Sequence, residues 1–125
     1  MFEITISGKA PIYEQLYNGI SELISSGRLA AGERLPAVRE VAKSLGINPN
    51  TVQKAYFLLE QAGLINSIPA KGSYVADSTT ALAALKTKAL ERLGAELSAA
   101  RRAGVTEPEA QQLLKSIYTQ TKEET

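Results

Sequence analysis

The sequence predicts a mainly α-helical protein: a winged helix-turn-helix with a small β-hairpin wing, followed by two further helices. Three observations predict it. Residues 35–63 hold two apolar stripes at helical spacing, joined by the tight turn Gly46-Ile47-Asn48. Residues 64–76 hold two short apolar runs around Pro69-Ala70-Lys71-Gly72, the pattern of a hairpin. Residues 79–118 hold two more helical stripes with a break at Gly104. A helix-turn-helix joined this closely, with Gly in the turn, suits a second helix that enters the major groove of DNA. The expected organisation is a winged domain over residues 1–76 and a two-helix dimerisation tail over 77–125.

The elements follow in order. Phe2-Glu3-Ile4-Thr5-Ile6 alternates apolar and polar, as a short edge strand or extended arm would. Pro11 stands where a helix can begin, because the first helical position has no N–H to lose. Ile12, Tyr13, Leu16, Tyr17, Ile20, Leu23 and Ile24 then recur at helical spacing, and Ser26-Gly27 stops the pattern. This helix should lie across the back of the helix-turn-helix. The run Arg28 to Arg34 reads as a connector with a turn at Gly32.

Leu35-Pro36 is extended, since proline disfavours helix in the residue before it. The first helix of the motif should start near Pro36-Ala37, with Val38, Val41, Ala42 and Leu45 inward and Arg39, Glu40 and Lys43 outward. Gly46 can take the left-handed conformation that ends it. Asn48 is a good N-cap and Pro49 a good first residue for the second helix, which runs to Ala62-Gly63. Val52, Ala55, Tyr56 and Leu59 form its inward stripe.

Asn50, Thr51, Gln53 and Lys54 fall on the opposite surface, where a recognition helix meets base edges and phosphates. The amides of Asn50 and Gln53 can pair bidentately with adenine, while Thr51 and Lys54 suit phosphate oxygens. Free N–H groups at the helix start add a further phosphate site. A polar first turn can equally be capped and solvated, and Asn48 taken alone reads as a cap. Lys71 beside Gly72 at the hairpin tip lets the backbone approach a phosphate or enter the minor groove. An ordinary hairpin with a solvated lysine would look the same.

From Asp77 the texture changes. Asp77-Ser78-Thr79-Thr80 is a capping cluster. Leu82, Leu85, Ala89, Leu93, Leu97 and Ala100 then mark one side of a long helix. Thr106 and Glu109 fit a capping box, and Ala110, Leu113, Leu114, Ile117 and Tyr118 mark a last helix. Two such helices on a short loop cannot bury both apolar faces on each other. The faces could fold back on the winged domain or pair with a second chain; the second is expected, through Leu82, Leu85, Leu93, Leu97, Leu113, Leu114, Ile117 and Tyr118. A symmetric dimer also suits the two half-sites of a duplex.

Composition narrows the function. The chain has 125 residues, no Cys and no His, which removes disulfides, thiolate metal sites and the commonest general base. No metal, cofactor or catalytic role is expected. No apolar run approaches the ~18 residues a membrane helix needs, and the N-terminus lacks the pattern of a secretory signal, so the expected location is the cytoplasm. The net charge is only +1, with seven basic and six acidic side chains through residue 76 and seven of each beyond it. DNA binding therefore rests on local placement, since bulk charge does not argue for it.

The stretch from Pro11 to Val75 resembles the DNA-binding domain of the GntR family of bacterial transcription regulators. The resemblance spans roughly residues 10–76. It is carried by the Gly-Arg-Leu…Gly…Leu-Pro…Arg run at 27–39, Asn-Pro-Asn-Thr-Val at 48–52, Leu-Glu…Gly-Leu-Ile at 59–65 and Lys-Gly-Ser-Tyr-Val at 71–75. The short two-helix tail is similar in length and pattern to the YtrA subfamily. That likeness implies a dimeric winged-helix protein, often a repressor of its own operon and of neighbouring transporter genes. It also implies DNA contacts at Arg39, Asn48, Asn50, Thr51, Gln53 and Gly72. The chain departs from the wider pattern at four positions. Ala37 stands for a capping Ser, Pro49 for a base-reading Arg, Gln53 for another frequent Arg, and Ala70 for a wing glycine.

The reading is thus a sequence-specific, dimeric DNA-binding regulator acting on a palindromic operator of double-stranded DNA. Residues 49–62 would lie in the major groove and 69–73 near the minor groove. The alternative is a winged-helix protein-interaction module without specific DNA binding, which near-neutral charge would suit. A small-molecule effector is left open; the tail offers little room for an enclosed pocket.

Overall fold

The computed structural model describes residues 4–124, with side chains through 120. Five helices and one hairpin follow in the order α1 (Ile12–Ser25), α2 (Val38–Leu45), α3 (Pro49–Gln61), β1 (Ile65–Ile68), β2 (Gly72–Val75), α4 (Thr79–Arg102) and α5 (Glu107–Glu124). The chain forms two compact units that meet between Ala83 and Ala84.

The first unit is built around α3. Val52, Ala55, Tyr56 and Leu59 of α3 are buried, as their spacing predicts. They pack against Leu16, Ile20 and Ile24 of α1 and Val41 and Ala42 of α2, all buried as well. Leu35, Leu64, Ile65 and Val75 close the core from the wing side. Each such aliphatic side chain contributes about 1.5–3 kcal/mol on leaving water. α1 therefore lies across the back of the motif, and the opposite face of α3 is left to solvent.

Local chemistry sets the ends of these helices. Pro11 flanks α1 as its cap, so the helix starts at Ile12, one position after the expected first residue, and the Pro11 carbonyl accepts from Glu14 and Gln15 N–H at 3.1 Å each. α2 starts at Val38, with Ala37 capping it by backbone conformation and without a side-chain bond. Gly46 ends α2 at φ 67°, and the next N–H, of Ile47, reaches back to the Ala42 carbonyl at 3.0 Å. A Cβ in that left-handed conformation would be strained, so the tight turn depends on glycine.

The wing pairs antiparallel with Ile65 opposite Val75 and Ile68 opposite Gly72. The connector before α2 joins it, which the sequence pattern did not predict. Val75 N–H donates to the Glu33 carbonyl, Leu35 N–H to the Ser73 carbonyl, and Gly32 N–H to the Val75 carbonyl, at 2.7–2.8 Å. Arg34 forms a bridge opposite Tyr74. Residues 32–35 thus lie along the open side of β2 as a short third segment.

Of the two readings for Phe2 to Ile6, a short edge strand or an extended arm, the strand does not form in the described part. Residues 4–7 form no strand; Phe2 and Glu3 lie outside the described residues. Ile4 instead lays its side chain on α1 at Gly19, where an added Cβ would sit 3.0 Å from Ile4 Cδ1. Ser7 N–H donates to the Gln15 side chain at 2.9 Å, and Gln15 Nε2 donates to the Ala10 carbonyl at 2.7 Å.

In the second unit the expected capping box forms. Thr106 N–H and Oγ1 both donate to Glu109 Oε1 at 2.9 Å, and Glu109 N–H returns to Thr106 Oγ1 at 3.4 Å. These bonds hold the Glu109 carboxyl below its ordinary range, the backbone bond first and the hydroxyl second. Leu90, Leu93, Leu97, Leu113, Leu114, Ile117 and Tyr118 are each about half exposed or more. Leu90 belongs to this set although the sequence reading passed over it; it stands one turn before Leu93. Leu82 and Leu85 are half-buried.

Candidate nucleic-acid interface

The outward face of α3 begins at its capped start. Asn48 Oδ1 accepts from Asn50 N–H at 2.8 Å, so the capping role of Asn48 is realised. Its side-chain NH2 remains as a donor. Pro49 occupies the first helical position. The amides of Asn50 and Gln53 are exposed, and Thr51 is half-buried beside them. Arg39 is exposed on α2.

Lys54 lies elsewhere than a free side chain would. Its Nζ stands 3.8 Å from the centroid of the Tyr13 ring on α1. Such a cation–π contact is worth about 0.5–1 kcal/mol at an exposed site. It gives the ammonium a fixed place at the junction of α1 and α3.

Tyr56 fixes α3 from below. Its hydroxyl donates to the Pro36 carbonyl at 2.6 Å. Burial, with the Glu40 carboxylate adding to it, pushes the phenol well above its ordinary value, so it acts as a neutral donor. The extended Leu35-Pro36 segment that leads into α2 is thereby tied to α3.

The wing stands beside this face. A groove of about 330 Å³ runs between α3 and the hairpin, with Gln53 and Tyr56 on one wall and Ile68, Pro69 and Gly72 on the other. Ser67 Oγ donates to the Glu60 carboxylate at 3.2 Å across it. Ala70 at the tip adopts φ 66°, the left-handed region that favours glycine. Lys71 follows it, exposed. Asn50, Gln53, the wing tip and Lys71 therefore belong to one unit.

Arg34 is the residue that the sequence reading missed. Its guanidinium lies against Gly72: a Cβ there would be 3.1 Å from Nε and 3.3 Å from Nη2. The connector RLAAGER carries no alternation that would have placed Arg34 beside the wing; only the backbone pairing of residues 32–35 does so.

The profile of bacterial regulatory proteins of the gntR family matches residues 12–75. The chain belongs to the GntR family. It is 35% identical to the HTH-type transcriptional repressor YtrA of Bacillus subtilis over 98% of this chain and 95% of that protein. A GntR family transcriptional regulator from Listeria monocytogenes has the same fold at a TM-score of 0.72, with 28% identity, covering 89% of this chain and 98% of the other. AraR(DBD) in complex with operator ORX1 aligns at a TM-score of 0.55 and 28% identity, covering 60% of this chain and 96% of that one. The chain is therefore a winged-helix transcription regulator of YtrA type, with a DNA-binding domain and no enzyme activity among the roles its relatives are named for. No helix among the described residues is long and apolar enough to cross a membrane.

Proposed function

We propose that this protein is a dimeric repressor that binds a palindromic operator and occludes a promoter, regulating its own gene and neighbouring ones, transporter genes among them. The observation that carries the reading is the pair of exposed amides, Asn50 and Gln53, on the capped first turns of α3 with the wing alongside. α3 enters the major groove, where each amide pairs with an adenine edge. Arg39, Thr51, Lys54 and Lys71 hold phosphates, and Asn48 adds its free NH2. The wing from Pro69 to Ser73, with Gly72, approaches the minor groove.

Two further facts support the quaternary and regulatory parts. The exposed leucines of α4 and α5, with Ile117 and Tyr118, would leave a large apolar surface in water in a single copy. A second copy covers it and supplies the second half-site. The likeness to a named transcriptional repressor spans nearly the whole chain, tail included. The reading places the protein in the cytoplasm, with its DNA.

The test is selection of duplexes from a random pool by the full chain, followed by fluorescence anisotropy with Gln53→Ala. The variant should lose about tenfold in affinity and relax preference at one base pair per half-site, the scale of one bidentate contact. A variant with unchanged affinity and unchanged preference would overturn the assignment of Gln53.

A further inference from the structure

We infer that Arg34 is a specificity residue of the wing that reads the narrow minor groove of A·T-rich DNA flanking each half-site. The inference rests on the reading of α3 and the wing as a DNA surface.

Three observations lead there. The guanidinium lies beside Gly72: a Cβ there would stand 3.1 Å from Nε and 3.3 Å from Nη2, so Arg34 would have to give by a few tenths of an ångström. Gly72 holds φ 116°, so the position is conformationally reserved for glycine. The backbone of Arg34 is fixed at the same time: it bridges Tyr74, and its neighbours Glu33 and Leu35 bond to Val75 and Ser73 at 2.8 Å. Among the described residues no carboxylate pairs with it. A cation is thus held beside the wing tip, exposed to solvent.

The chemistry fits a narrow minor groove better than a lone phosphate. A-tracts narrow that groove and deepen its negative potential, which draws inserted arginines. Guanidinium is preferred to ammonium because it is planar and more weakly hydrated, so it loses less on entering a confined groove. Arg34 from the connector and Lys71 from the hairpin together place two cations around Gly72, and the hairpin also lines the groove beside Gln53. α3 and the wing can then read different grooves of one half-site.

The experiment uses the full chain and duplexes that it selects from a random pool. Their flanks are remade in three forms: A·T-rich, G·C-rich, and inosine·cytosine, which resembles A·T in the minor groove while keeping the G·C pattern in the major groove. Wild type should prefer A·T and inosine·cytosine flanks alike over G·C, by about tenfold, the scale of one recognised base pair. Arg34→Ala should abolish that preference while keeping the core sequence, and Arg34→Lys should recover only part of it. An Arg34→Ala protein that weakens equally on all three flanks would make Arg34 a phosphate contact and overturn the assignment. So would an unchanged preference. Failure of the underlying DNA reading would look different, because no sequence would be selected at all.

Discussion

Asn48 caps α3, and the DNA contact proposed for it can be separated from that role by substitution. Its Oδ1 accepts from Asn50 N–H at 2.8 Å and so satisfies one of the free donors at the start of α3. Its NH2 faces solvent at the proposed DNA surface. Asn48→Ala removes both and should cost about 1 kcal/mol of stability, the usual worth of a capping side chain. With a urea m-value of roughly 1–2 kcal/mol/M, the midpoint falls by about 0.5–1 M. Asn48→Asp keeps the acceptor and adds a negative charge at the positive end of the helix, which is favourable by about 0.3–1 kcal/mol. Its midpoint should equal or exceed that of wild type. On DNA the order changes: the Asp variant replaces a donor by an anion next to phosphates and should bind at least about tenfold more weakly, below the Ala variant. Urea unfolding followed by circular dichroism and anisotropy on a selected duplex read the two effects. The reasoning fails if Asp destabilises as much as Ala, or if the Asp variant binds as tightly as wild type.

Three other outcomes are expected. Leu93→Glu with Leu114→Glu should leave helicity intact, since both side chains are 53% exposed, yet shift gel-filtration elution to a monomer and weaken operator binding about 100-fold or more through lost avidity. Ala70→Gly should raise stability by about 0.5–1 kcal/mol, because Ala70 sits at φ 66°, and a thermal melt below that of wild type would contradict the strain argument. The Glu109 carboxyl is held low by its bonds from Thr106, so its contribution to the start of α5 is present at neutral pH and is lost as pH falls through that lowered value. The protection factor of the Thr106 amide, its exchange rate relative to the free-peptide rate at the same pH, should therefore fall in acid, and in Glu109→Gln it should be lower already at pH 7 and vary less with acidification.

The motif itself was legible because its signals are local. Asn48-Pro49 sets a cap and a first turn, Gly46 sets a left-handed stop, and the 3.6-residue stripe of α3 sets which face is buried. The same is true of Thr106 and Glu109, three residues apart. What the sequence did not disclose depends on partners distant along the chain. Ile4 meets α1 through the absence of a side chain at Gly19, and nothing near Ile4 signals that. Residues 32–35 join the wing by backbone bonds, which leave no periodicity in RLAAGER. For that reason Arg34 was passed over while Lys71, next to the obvious turn, was not. Lys54 was legible as a cation on α3, but its seat over Tyr13 needs two helices to be packed first.

The departures from the family pattern also gain physical content. Ala37 leaves α2 without a side-chain cap, as a Ser there would supply. Ala70 keeps the left-handed backbone at the wing tip without the glycine that would relax it. Pro49 and Gln53 stand where the resemblance places two frequent arginines, so under the proposed reading the amides, together with cations on the wing, would carry the DNA contacts.

The central claim is that a dimer of this chain grips DNA through a few placed cations despite a net charge of only +1. The salt dependence of binding to a selected duplex tests it most directly. Arg39, Lys54 and Lys71 from two protomers should release counterions and give a slope of log K against log salt of about −5. A slope near zero, with affinity unchanged as salt rises, would contradict the account and favour a protein-interaction module.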